Sequence, residues 1–82
     1  MLYLAWIDGA DVDEVPEGPW EEGFVLHPGL LLLRSDHRRS EVYHAVKWAV
    51  PEGRSLVVAP LADDPKAKGV TPGLRAWLDG PA

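Results

Sequence analysis

The sequence predicts a small α+β layer domain, and three observations carry that prediction. The first seven residues, MLYLAWI, are apolar on both alternating sets. A run of four leucines, Leu30–Leu33, follows a Pro-Gly turn. Val42, Ala45, Val46 and Ala49 then repeat at helical spacing. A short strand apolar on both faces belongs inside a sheet, whereas one apolar stripe at i, i+3, i+4 and i+7 belongs to a helix packed on it.

Met1–Asp8 holds the first expected strand, ended by Asp8-Gly9. Residues 9–23 are acidic and carry Pro16, Gly18 and Pro19. No helix survives two prolines at that spacing, so a loop is expected, with room for one helical turn around Asp11–Val15. Trp20 is its only large apolar side chain and the natural pin to the body. Phe24–His27 is the next strand. His27-Pro28-Gly29-Leu30 places proline and glycine at the central positions of a type II turn. Such a turn twists against a two-residue hairpin, which leaves a wider connection or a bend in one long strand open. Leu30–Ser35 is the third strand.

The helix is expected within Ser35–Val50, with Ser35 or Ser40 as N-cap and Pro51-Glu52-Gly53 as stop. Ser55–Leu61 (SLVVAPL) is a strand ended by Pro60. Residues 62–70 form a polar loop. Thr71-Pro72 opens a short last helix with Leu74, Trp77 and Leu78 on one face, and Gly80-Pro81 ends it. The order β-loop-β-β-α-β-α fits one ferredoxin-like sheet over residues 1–82. It predicts helices on one face, an acidic loop in place of the first helix, and the first and last strands as neighbours in mid-sheet.

Eighty-two residues make one domain with a small core. The absence of cysteine excludes disulfides, thiolate metal sites and a cysteine nucleophile. The remaining sources of stability are oligomerisation, a metal or tight packing; a homodimer is expected ahead of a monomer, with a protein partner as the other candidate. Trp6, Trp20, Trp48 and Trp77 are the candidate interface anchors. The chain has no asparagine or glutamine, one methionine and eight prolines. That is the composition of a thermophilic protein, and equally of a GC-rich coding sequence. No apolar run reaches the roughly 20 residues of a membrane helix, and Met1–Ile7 lacks the basic start of a signal peptide, so a cytoplasmic protein is expected.

The net charge of −5 argues against general nucleic-acid binding. Its distribution is uneven. Residues 1–33 carry seven acids and no Lys or Arg, hence −7, and residues 34–82 carry six acids and eight bases, hence +2. A dipolar surface follows, or an acidic loop beside an ordinary mixed surface.

Three groups can carry chemistry. Arg34, His37, Arg38, Arg39 and Ser40 stand where a strand hands over to a helix, a place that suits an anion. The same arginines can instead pair with Asp11–Glu22, which needs no ligand. His37 and His44 lie seven apart beside Asp36 and Glu41 but match no zinc spacing. Asp8, at a strand end before Asp11, Asp13 and Glu14, can hold a divalent cation or simply cap a turn. No motif calls for a cofactor, and the three serines and one threonine lie in no nucleophile motif.

Three patches, YLAWID (Tyr3–Asp8), LLLLRS (Leu30–Ser35) and SLVVAPL (Ser55–Leu61), together resemble the small CRISPR-associated integration-complex subunits and their relatives. The patches span 19 of the 82 residues. The resemblance implies a ferredoxin-like homodimer and, as in some members, metal-dependent nuclease activity, with Asp8 at the place of the aspartate that ends their first strand. Their first helix has no counterpart here. The leading expectation is a small non-enzymatic interaction module, homodimeric. The alternatives are a metal-dependent nuclease or nucleic-acid-associated protein using Asp8, Arg34, Arg38 and Arg39, and a small anion-binding domain.

Overall fold

The computed structural model describes residues 1–9 and 11–80. Its elements are β1 (Leu2–Ile7), β2 (Glu22–His27), β3 (Leu30–Arg34), α1 (Arg39–Ala49), β4 (Leu56–Leu61) and α2 (Leu74–Asp79). The strands form one antiparallel sheet in the order β2-β3-β1-β4, a ferredoxin-like arrangement. β1 is interior, as its two-sided apolar pattern requires. It is the neighbour of β4, but β4 lies at the sheet edge and not in the middle. Proline in a strand is compatible with an edge, and Pro60 sits there.

The helices do not share a face. Tyr3, Ala5, Ile7, Leu31 and Leu33 point to one side, under Val42 and Val46 of α1. Leu32 and Leu26 point to the other, under Leu78 of α2, with Phe24, Leu74 and Trp77 around them. The expectation of helices on one face is thus corrected. Leu31, Leu32 and Leu33 are all fully buried, so β3 is covered on both sides. We refer to the α1 side as the first face and the α2 side as the second.

The acidic stretch fills the place of a helix without forming one. Val12, Val15 and Trp20 pack onto the first face beside α1. No helical turn forms at Asp11–Val15. Instead, the Val12 carbonyl accepts a hydrogen bond from the Gly29 amide at 2.7 Å, and the Trp20 indole donates to the Pro16 carbonyl at 2.9 Å. Close approach requires Gly23, because a Cβ there would overlap a Val15 methyl.

The β2–β3 connection is the two-residue Pro28-Gly29 turn. A register shift between Val25 and His27 accompanies it. An extra residue in one strand increases local twist, which lets the type II geometry close a hairpin.

Helix α1 starts at Arg39 with Arg38 as its cap, after the start that a Ser35 cap would give and before the one that a Ser40 cap would give. Ser35 is fully buried. Its hydroxyl donates to the Pro19 carbonyl and accepts from the His37 amide at 3.0 Å. The Tyr3 hydroxyl donates to the His37 carbonyl at 2.6 Å. Both hold the β3–α1 junction against the body. α2 begins after Gly73, two residues beyond Thr71, and Gly80 ends it; Pro81 lies outside the described residues. Among the described residues no helix is long and apolar enough to cross a membrane.

Candidate functional site

The basic cluster divides between two places. Arg34 points to the second face. It pairs with Glu22 at 2.8 Å and lies 4.5 Å from the centre of the Trp77 ring. Its other terminal nitrogen approaches the Trp77 and Leu78 carbonyls at 3.5 and 3.4 Å, near the end of α2. A cation at a helix C-terminus offsets the dipole there, so Arg34 fastens α2 to the sheet.

His37, Arg38, Arg39 and Ser40 stand at the start of α1. There Glu41 already supplies the negative charge. Its carboxylate accepts from the Arg38 amide at 3.2 Å and from Arg38 Nε at 3.4 Å, and lies 3.3 Å from His37 Nδ1. The Arg38 amide, followed by His37 and the Arg38 side chain, holds the Glu41 carboxyl below its ordinary value. Arg39 and Ser40 are exposed. The five candidate anion ligands therefore share no cradle. Among the described residues, the pairing of these arginines with the acidic stretch occurs only at Arg34–Glu22.

Asp8 is exposed at the end of β1, and its amide donates to the Ser55 carbonyl at 2.9 Å. Among the described residues no three His, Asp or Glu side chains gather as a metal site. His37 precedes α1, so it shares no helix face with His44, whose ring meets Tyr43 edge-on at 5.1 Å.

The acidic loop is tied by a residue that the sequence did not single out. Arg54 grips Asp11 with both terminal nitrogens, the second at 2.8 Å. Hydrogen bonding to Arg54, above all, lowers the Asp11 carboxyl from its ordinary value of 3.8. A depressed carboxyl stabilises the fold above its unfolded-state value and loses that effect as pH falls through its folded-state value. The Asp11 tie is thus intact at neutral pH and released only in acid. In Arg54→Gln the Asp11 carboxyl is expected to titrate higher than in the unsubstituted chain, which carbon-detected NMR of the side chain reads directly.

The tryptophans separate into two pairs. Trp20 and Trp77 are packed into the two cores. Trp6 and Trp48 are 41 % and 78 % exposed, and Val57 beside Trp6 is 55 % exposed. These three flank one feature, the open edge of β4. Trp6 and Val57 are cross-strand partners on the second face, on the half of the sheet away from α2's partner strand β2. Trp48 lies on α1 and lines a cleft of about 480 Å³ with Tyr43, Lys47, Val50, Arg54 and Leu56.

The ladder defines which groups of the edge are free. Asp8 and Ser55 form a hydrogen-bonded pair with β1, and such pairs alternate in an antiparallel ladder. Val57, Ala59 and Leu61 therefore direct their backbone groups to β1 in this register, and Leu56, Val58 and Pro60 direct theirs outward. Pro60 has no N–H, so its place in the outward row costs the sheet nothing. Residues 55–62 carry no charge. The opposite edge differs: at β2 the Leu26 carbonyl accepts from both the amide and the hydroxyl of Thr71, at 2.8 and 3.1 Å. The β4 edge has no such backbone cover among the described residues.

Comparison of the chain with protein-family models, with curated proteins and with solved structures gives no match.

Proposed function

We propose that this chain is a small non-enzymatic interaction module that self-associates as a homodimer. One observation carries the reading. The β4 edge is uncharged and open, with Trp6 and Val57 exposed on one side of it and Trp48 on the other. An edge strand presents unpaired N–H and C=O groups that favour another strand, and proteins that avoid pairing place charges there. Exposed tryptophan beside such an edge adds large apolar area to any contact. The lack of cysteine and the short length supply the reason for a dimer, since a second copy adds buried surface that one copy cannot supply.

Light scattering at tens of micromolar tests the reading. A mass twice the 9.0 kDa of the chain is expected, and a strict monomer overturns it. Trp6→Ala is expected to weaken association without unfolding the chain, because the indole is 41 % exposed.

A further inference from the structure

We infer that two copies join by antiparallel pairing of their β4 strands, with a twofold axis at Val57 running perpendicular to the sheet. This names the contact within the self-association proposed above and rests on that reading.

Hydrogen-bonded pairs across the new seam must join outward-directed residues, which within β4 are Leu56, Val58 and Pro60. Only Leu56 and Val58 have an N–H to give. Placing Leu56 opposite Val58 of the second copy uses both. Each of the two symmetry-related pairs exchanges two bonds, so four form and every outward N–H of the strand is satisfied. Moving the axis by one residue to Val58 sets Leu56 opposite Pro60. The Leu56 carbonyl then faces a proline ring and has no donor, an uncompensated loss at a buried seam. Moving it the other way, to Leu56, sets Val58 opposite Arg54, outside the strand. Pro60 thereby acts as a register pin.

The side chains agree with this register. Val57 meets its own copy as a non-hydrogen-bonded pair, the closer of the two pair types. Trp6 is the cross-strand partner of Val57. A row Trp6–Val57–Val57–Trp6 then crosses the second face and covers the apolar surface left open there. A perpendicular axis keeps both α1 helices on the same side, so the Tyr43, Lys47 and Trp48 clefts of the two copies share that side. Two uncharged segments, residues 55–62, approach one another in a chain whose net charge is −5, so the seam opposes no like charges.

The absence of cysteine makes the test direct. Introduced at Val57, a thiol lies opposite its copy at a separation of about 4.5–5.5 Å between Cβ atoms, close enough for a disulfide after small adjustment. Introduced at Ala59 it lies about 13 Å from its copy, four residue steps along the strand. Under mild oxidation, Val57→Cys is expected to give a covalent dimer and Ala59→Cys is not. Val57→Lys places like charges opposite each other at an exposed position and is expected to raise the dimer dissociation constant about tenfold or more with an unchanged far-UV spectrum. A wild-type dimer whose Val57→Cys form stays reduced, or whose Ala59→Cys form crosslinks instead, overturns the twofold at Val57 and leaves self-association standing. A wild-type monomer overturns both.

Discussion

Gly29→Ala is expected to be among the most damaging single-atom-scale changes in this chain, costing about 3–4 kcal/mol. Gly29 is buried and adopts φ +84°, where an L side chain costs about 1–2 kcal/mol. The added methyl meets backbone, not a side chain that can swing away: the Ile7 carbonyl oxygen at 2.5 Å and the Gly9 carbonyl oxygen at 3.1 Å. Moving Gly29 aside strains two hydrogen bonds, Ile7 amide to Gly29 carbonyl and Gly29 amide to Val12 carbonyl, both 2.7 Å. Each contributes about 1 kcal/mol. Small domains have about 5–15 kcal/mol in total, and a short chain sits near the low end. The thermal midpoint is expected to fall by about 15–25 °C at about 4–8 °C per kcal/mol. Pro28→Ala, which leaves the backbone contacts in place, is the control and should cost less than about 1 kcal/mol. Equal losses for the two variants would mean that the turn does not depend on the left-handed residue.

The Gly29 contacts also show what joins the acidic loop to the sheet. That loop covers the first face where a ferredoxin-like domain has a helix, and it does so with three apolar side chains and a few backbone bonds. Its charge is incidental to this. Only two ion pairs, Arg34–Glu22 and Arg54–Asp11, link the acidic first 33 residues to the remainder among the described residues. The −7 to +2 division therefore describes the surface more than the packing.

Local pattern carried much of this architecture. The two-sided apolar run at Leu2–Ile7 identifies an interior strand, and the Val42/Val46 stripe identifies the buried side of α1. The Pro-Gly pair identifies the turn. The placement of α2 departs from the one-face expectation, yet the sequence contains its reason. A run such as Leu30–Leu33, with no polar alternation, needs cover on both sides of the sheet, and α2 was the only remaining apolar element to supply it. Pro60 suggests the end of a strand by pattern, but it marks an edge. Cap preference, which favours serine, points to Ser35 or Ser40 for the start of α1. The observed start depends on Glu41 reaching back to Arg38, a three-residue relation that the sequence contains. Ser35 is buried for a different reason, its bond to Pro19 across 16 positions. Contacts of that kind have no local signal. Arg54 and Asp11 are 43 positions apart, and nothing in their surroundings distinguishes them from other surface charges. All four tryptophans qualify as interface anchors by residue type, and pattern alone does not separate Trp6 and Trp48 from Trp20 and Trp77. Whether Trp6 and Trp48 are core or surface depends on which half of each face is covered, and that is decided by where α1 and α2 dock.

Leu32→Ala and Leu33→Ala are expected to destabilise the chain by similar amounts, each about 2–5 kcal/mol, and the comparison separates two architectures. The two leucines are adjacent in β3 and point to opposite faces. Leu33 belongs to the core beneath α1, with Tyr3 as its cross-strand partner. Leu32 sits between Leu4 and Phe24 in the sheet and belongs to the core beneath α2 with Leu78. If both helices packed on the first face, Leu32 would lie on open sheet and its truncation would cost little more than a surface change, within about 0.5 kcal/mol. With cover on both sides, each truncation removes a side chain of zero exposure and leaves a cavity that its neighbours fill only in part. Urea denaturation of the two variants decides the matter, because the midpoint reports the loss and an unchanged slope shows that the same surface is exposed on unfolding. Trp6→Ala supplies the reference for incomplete cover. It lies on the same face as Leu32 but on the half that α2 leaves open, so its cost to folding should be the smallest of the three, while its effect on association should be the largest.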